Sequence, residues 1–333
     1  MDDFAAQHGP VPVCRAGLVV AQAKFLRGIG APVDRGLQRN RLPGHIEESP
    51  QSWVTNYRSR MFTADMALRE DLPTLGLRPE VTAFNNLNEG YRRAMLGAPT
   101  LLLALKRMAS LSKVQNTASI LWVEVDTSRV RSCTTFLWPH EAGHSIAEQI
   151  TLSAMRSVIS AYTGEQFVPQ RILLQSRRRD MPFNLEIAYR GVTVLTDQPY
   201  GAIEFPRALL RTPSDYVDEG SDNSIHGPPT SLGGTLEAVL PTYFRDGYPS
   251  IEMASELVGC SGRTLQRKLR QEGSSYRRVV QSARFAAAKD FLQDPEMPLT
   301  AISALLGYSE LSAFSRAFSA WTGCSPSEYR ERH

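Results

Sequence analysis

The chain has 333 residues, 42% of them apolar and 21% charged, with a formal net charge of +3; this is an ordinary globular composition, with length for two or three domains. No apolar run approaches the roughly 18 residues of a membrane-spanning helix, and the start Met1-Asp-Asp-Phe-Ala5 carries neither a basic segment nor a signal core, so the expectation is a cytoplasmic protein with no membrane partner. Cys14, Cys133, Cys260 and Cys324 are far apart and form no Cys-x-x-Cys pair, which points to reduced packing residues and away from a disulfide framework or a thiolate metal site.

Residues 1–14 show no period and read as a loose tail, after which Leu18, Val19, Phe25, Leu26 and Ile29 can form the apolar face of a first helix. Further helices are expected over about 50–63, with Trp53, Tyr57 and Met61, and over about 88–110, broken at Gly97-Ala98-Pro99. Tyr91, Met95, Leu101 and Leu105 make a stripe that suits a core better than a ligand box. The period changes near 118. Ile120–Val125 and Cys133–Trp138 read as a strand pair joined by Asp126–Arg131, and a long helix with Ile146, Ile150, Leu152, Met155 and Ile159 follows over about 145–162, ended by Gly164. Strands are expected at 171–175, 192–195 and 202–205, which makes the block an α+β unit.

Two segments invite a chemical reading. His140-Glu-Ala-Gly-His144 has the spacing of a zinc hydrolase, in which two His at i and i+4 hold the metal and Glu141 is the base. That chemistry needs both His on one helical face, and Pro139 and Gly143 work against a helix there. Arg177-Arg-Arg179 is either a solvated turn or an anion grip. There is no phosphate loop, nucleophile elbow or cysteine cluster, so no enzyme chemistry, metal or cofactor is expected beyond the zinc alternative.

Residues 213–234 are rich in Pro, Gly, Ser and Asp and read as a flexible linker between a domain at 15–212 and another at 235–333. The last part contains a repeat. Ala254, Leu257, Gly259 and Ser261 precede Ile302, Leu305, Gly307 and Ser309 by 48 positions, and Leu265, Arg267 and Leu269 precede Phe314, Arg316 and Phe318 by 49. Each copy is a short helix, a turn at Gly and a second helix with a buried stripe, that is, a helix-turn-helix. Between them a helix opens after Ser274 and Ser275, carries Tyr276, Val280, Ala283, Ala287 and Phe291 on one stripe and stops at Asp294-Pro295. The domain is nearly neutral, with 12 Lys and Arg against 11 Asp and Glu, but Arg263, Arg267, Lys268 and Arg270 concentrate positive charge on one helix. Arg267 and Arg316 could also pair with Glu272 and Glu310 as ordinary surface charges.

From about 235 onward the chain resembles the DNA-binding domain of the AraC/XylS family of transcriptional regulators, on Arg263-Thr-Leu-Gln-Arg-Lys-Leu269 and on Ile302, Leu305, Gly307-Tyr308, Ser312, Phe314, Arg316, Phe318, Gly323, Ser325-Pro326 and Tyr329-Arg330. The resemblance implies two recognition helices, with DNA contacts from Arg263, Thr264, Gln266, Arg267 and Arg270 and from Leu311, Ser312, Ser315 and Arg316. Residues 15–212 resemble the arabinose-binding type of sensor domain in the ornithine- and arginine-responsive branch, on Leu75-Gly-Leu77, Tyr189, Gly191-Val192, Phe205 and Leu209-Leu210. A histidine often found after the 171–175 strand is replaced here by Ser176-Arg177. The reading is therefore an α+β sensor domain followed by an all-α domain with two helix-turn-helix units. The implied partners are promoter DNA, RNA polymerase, a small-molecule effector of unknown identity and a second copy of the chain.

Overall fold

The computed structural model describes residues 11–78, 89–139, 141–180, 191–216 and 227–332. His140, Tyr189 and the linker residues 217–226 lie outside the described residues. The chain forms two compact units, one from residues 12–42 and 56–228 and the other from 43–55 and 229–333, together with the first residues of the chain.

In the first unit, β1 (Val13–Arg15) leads into α1 (Gly17–Gly28) and α2 (Val33–Arg39). α1 ends before Ile29, which is 52% exposed and does not extend the buried stripe. Trp53-Val-Thr55 forms the strand β2 in the segment assigned to the other unit, and α3 runs over Asn56–Arg69. The helix expected from residue 50 thus starts six residues later, because an aromatic and two β-branched side chains favour the extended pleat. α4 (Glu89–Leu96) and α5 (Leu101–Leu111) flank the expected break.

β3 (Ser119–Val125), β4 (Arg129–Phe136), β5 (Arg171–Leu173), β6 (Thr193–Leu195) and β7 (Gly201–Pro206) form one sheet in the order β3-β4-β7-β5-β6, antiparallel except for the β5/β6 pair. α6 (His144–Thr163) packs on this sheet through Leu152, Met155, Val158, Ile159 and Tyr162, which share a core with Val130, Ile172, Ile203 and Phe205. Arg129–Arg131, expected in the turn, belong to β4. The alternation explains it: Val130 points into the core, while Arg129 and Arg131 face outward and reach Glu204 at 3.2 and 2.9 Å. Burial would raise the Glu204 carboxyl, but hydrogen bonds from Arg131 and Arg129 outweigh it and hold the group below its ordinary value.

The loop after β5 is tied to α6 by a buried carboxylate. Glu148 accepts the N–H of Gln175 at 2.6 Å and both the N–H and the hydroxyl of Ser176 at 3.0 and 2.6 Å. Burial pushes the Glu148 carboxyl up, and these three donors oppose the shift. Ser176, at the position where the resemblance implies histidine, is a donor to this anchor.

The second unit is helical: α7 (Leu232–Val239), a 3-10 turn over Leu240–Asp246, α8 (Ile251–Leu257), α9 (Gly262–Gln271), α10 (Tyr276–Leu292), α11 (Leu299–Leu305), α12 (Leu311–Thr322) and α13 (Pro326–Arg332). The starts of α8 and α11 are 48 residues apart and those of α9 and α12 are 49 apart, which reproduces the repeat. Ser231, Ser250, Ser261 and Ser275 each accept a backbone N–H three residues on, so four of these helices begin at a serine cap. At α13, the Ser325 hydroxyl accepts the N–H of Glu328 and the Glu328 carboxylate accepts the N–H of Ser325, a reciprocal capping box. α7 begins inside the stretch expected to be linker. Its first amides, Leu232 and Gly233, donate to the Glu272 carboxylate at 2.9 Å each, and Leu232 is buried. Residues 43–55 pack with this unit, where the Gly44 N–H donates to Asp246 at 2.8 Å.

Two consequences can be measured. A carboxylate with a lowered folded pKa contributes stability that is fully present above its ordinary value and is lost as pH falls through the lowered one. Glu204→Gln should therefore melt below the parent near neutral pH, and the gap should close in acid; a gap independent of pH would mean that the ion pairs contribute nothing. Phe314, fully buried against Tyr308 and Phe318 at centroid distances of 5.7 and 5.8 Å, fixes the inner face of α12. Phe314→Ala should cost about 3–5 kcal/mol of stability, read by hydrogen exchange over residues 299–332, with exchange over 119–163 unchanged. An unaltered pattern over 299–332 would place Phe314 on the outer face.

Candidate nucleic-acid interface

α9 divides cleanly by burial. Leu265 and Leu269 are fully buried, four residues apart on the inner face, while Arg263, Gln266, Arg267 and Arg270 are exposed and Thr264 is half-buried. Those five outer residues line one shared depression. Among the described residues Arg263, Arg267 and Arg270 make no ion pair, and Glu272, the acid nearest in sequence, is occupied by the amides of α7. Three guanidiniums on one helix face are thus available to phosphate oxygens or to the O6 and N7 of guanine.

α12 is organised the same way with weaker chemistry. Phe314 and Phe318 point inward; Leu311, Ser312 and Arg316 are exposed and Ser315 is half-buried. Leu311 is 36% exposed although apolar, which suits contact with a thymine methyl. Glu310 accepts the Ser312 hydroxyl at 3.1 Å and does not pair with Arg316, which keeps its charge unpartnered among the described residues.

The distance between the two faces is set by α10 and by a stack that no sequence pattern announced. The 17 residues of α10 extend about 25 Å at roughly 1.5 Å per residue. From its middle, the Arg284 guanidinium lies over the ring of Tyr248 at 4.7 Å and over that of Tyr308 at 4.6 Å. Its Nη2 also donates to the Gly307 carbonyl at 3.4 Å. Gly307 has a φ of 74°, and a Cβ there would come within 2.6 Å of the Tyr248 ring, so the turn between α11 and α12 needs glycine twice over. Phe285 on the same helix packs against Phe318 and Trp321, and Arg330 of α13 donates to the Met297 carbonyl at 2.7 Å. Tyr308 falls in the repeat; Arg284 and Tyr248 carry no signal beyond a charge and a ring in unremarkable positions.

The zinc alternative fails on local geometry. Gly143 adopts φ 76° and ψ 0°, and α6 begins only at His144, so the helix that the motif needs does not extend back through Gly143. His144 is buried with its ring edge-on to Phe136 at 5.2 Å, and among the described residues no three His, Cys, Asp or Glu are grouped as a metal site requires. Arg178 and Arg179 are exposed in a 3-10 turn, where the Arg178 N–H donates to Asp197 at 3.2 Å. All four cysteines are free.

The first unit also holds a cavity of about 100 Å³ between α1, α3, α5, β3 and α6. Sequence reading singled out none of its polar residues, because Asn56, Arg60 and Gln115 belong to no motif. On α3, Asn56, Arg60 and Thr63 recur at i, i+4 and i+7 and so line one wall. The hydroxyl of Thr63 donates to Gln22 at 2.6 Å, and Asn56 donates to Asn116 at 2.9 Å.

Comparison with known proteins finds one family domain in each part of the chain. Residues 30–214 match the arabinose-binding domain of AraC transcription regulators, and residues 254–332 match a helix-turn-helix domain. The chain is 27% identical over 272 residues, 77% of each protein, to the ornithine utilization regulator of Pseudomonas aeruginosa. It is 37% identical over 167 residues to the HTH-type transcriptional regulator VirS of Mycobacterium tuberculosis, a match covering 46% of this chain and 48% of the other. Over 85 residues, 26% of each protein, it is 40% identical to the HTH-type transcriptional regulator VqsM of Pseudomonas aeruginosa. With an arabinose-binding type domain matched over more than half its length and a helix-turn-helix domain behind it, the chain belongs to the AraC family of transcription regulators.

Proposed function

We propose that this regulator reads promoter DNA with Arg263, Thr264, Gln266, Arg267 and Arg270 of α9 in one major groove and with Leu311, Ser312, Ser315 and Arg316 of α12 in the next. The observation that carries the reading is the set of guanidiniums on the outer face of α9, exposed, lining one depression and without ionic partners among the described residues. A helix of about 25 Å between the two readers suits successive major-groove faces roughly 34 Å apart on a non-palindromic site. α9 supplies most of the affinity and the bidentate base contacts, whereas α12 offers one cation, two hydroxyls and an apolar tip. The unit formed by residues 12–42 and 56–228 takes a small effector in its cavity, pairs with a second copy, and through these sets how the DNA-bound protein meets RNA polymerase in the cytoplasm. Ornithine is not carried over from the Pseudomonas aeruginosa relative, because no acidic side chain among the described residues lines the cavity to receive an ammonium group.

The test is a titration of the full chain on the DNA upstream of its own coding region at fixed salt. Arg267→Ala should weaken specific binding more than Ser315→Ala, since a bidentate base or charged phosphate contact is worth about 1–3 kcal/mol and a single neutral hydrogen bond about 1 kcal/mol. Equal losses would overturn this division between the helices.

A further inference from the structure

The cavity of the first unit has a composition that selects among ligands. Leu18, Met95, Met108, Leu121, Met155 and Val158 supply apolar wall, and a site so lined favours a hydrocarbon portion over water. The polar wall is different in kind. Asn56, Arg60 and Gln115 line the cavity at 3%, 8% and 6% exposure, and each leaves one buried polar atom without a hydrogen-bond partner: Oδ1 of Asn56, Nε of Arg60 and Nε2 of Gln115. Buried polar atoms are usually satisfied by a partner. Two of the three, Nε of Arg60 and Nε2 of Gln115, are donors, and a guest carrying acceptor oxygens would pair them.

Charge narrows the class. Arg60 is the one charged side chain among the described residues lining the cavity. Its Nη2 donates to the Ala142 carbonyl at 3.0 Å, and the nearest carboxylate, Glu141, is half-exposed and 3.9 Å away. Burial pulls the Arg60 guanidinium below its ordinary value, with Glu141 and Tyr57 only partly opposing the shift. An anion brought to Arg60 would recover that desolvation, and a cation would meet no acidic partner. At about 100 Å³ the space suits a guest of roughly six to ten non-hydrogen atoms.

We propose that this cavity binds a small aliphatic monocarboxylate lacking an amino group, its carboxylate facing Arg60 and Gln115 and its chain among the leucine and methionine side chains. The assignment rests on the reading of this unit as the effector domain, and it names the effector's chemistry. It separates carboxylates from the zwitterionic amino acids, which have the same anionic head but bring an ammonium for which the described wall offers no carboxylate.

Calorimetric titration of the full chain with three probes of equal chain length, hexanoate, norleucine and hexan-1-ol, tests it directly. Hexanoate should bind saturably and more tightly than either of the others by about tenfold or more, the alcohol losing the charged contact and norleucine burying an ammonium with no carboxylate beside it. Hexanoate without saturable heat, or norleucine binding as tightly, would overturn the proposal, and neither comparison needs a variant that has to fold. Arg60→Gln should reduce hexanoate affinity by a similar factor while Gln115→Leu, which keeps the cation, should reduce it less; a folded Arg60→Gln protein that binds hexanoate like the parent would also overturn it. DNA binding of the same preparation without hexanoate reads the regulator assignment separately, so failure of one leaves the other standing.

Discussion

The arrangement of the two outer helix faces depends on one stacked cation. Arg284 projects from the middle of α10 between Tyr248, which precedes the first helix-turn-helix, and Tyr308, which sits in the turn of the second. A guanidinium between two aromatic faces is held in position as well as attracted, and the Gly307 carbonyl accepts one of its N–H groups. Because a Cβ at Gly307 would meet the Tyr248 ring, the second turn is packed directly against the residue that precedes the first helix-turn-helix. The two outer faces are thereby parts of one body. Neither α9 nor α12 is long enough to be stable alone, so their geometry comes from this packing and from the aromatic group of Phe285, Phe314, Phe318 and Trp321.

The first unit solves a different problem, that of keeping polar groups inside. Glu148 is buried yet saturated by Gln175 and Ser176, and Glu204 is buried yet held ionised by two arginines. The wall of Asn56, Arg60 and Gln115 differs from these carboxylates in lining a cavity with polar atoms that lack partners. The proposed carboxylate would give the two donors of that wall, Nε of Arg60 and Nε2 of Gln115, the acceptors they lack.

What the bare sequence displayed followed from period and punctuation. The tandem units were visible because glycine recurs at the same step of each turn, Gly259 with φ 67° and Gly307 with φ 74°, and because Leu265 and Phe314 fill equivalent inner positions. The sheet was visible through β-rich runs, although Arg129 and Arg131 disguised the start of β4 as a turn. The short α2 escaped because seven residues with only Val33, Gly36 and Leu37 buried make no measurable period. The outer residues of α9 were accessible to sequence reading because they are what remains once the inner stripe is assigned. The Arg284 stack and the cavity wall were not, since both join residues distant in the chain, and nothing local marks Tyr248 as the neighbour of Gly307 or Gln115 as the neighbour of Asn56.

If one body carries both reading faces, their separation on DNA is fixed and the site must match it. The most direct measurement inserts five base pairs between the two major-groove segments that the full chain protects and compares affinity with the uninterrupted site. Half a turn of DNA carries the second segment to the opposite side of the duplex, and α12 contributes one cation, two hydroxyls and an apolar contact, so the account predicts a loss of about tenfold or more. Unchanged affinity on the expanded site, with both segments still protected, would contradict it by showing that the two units move independently.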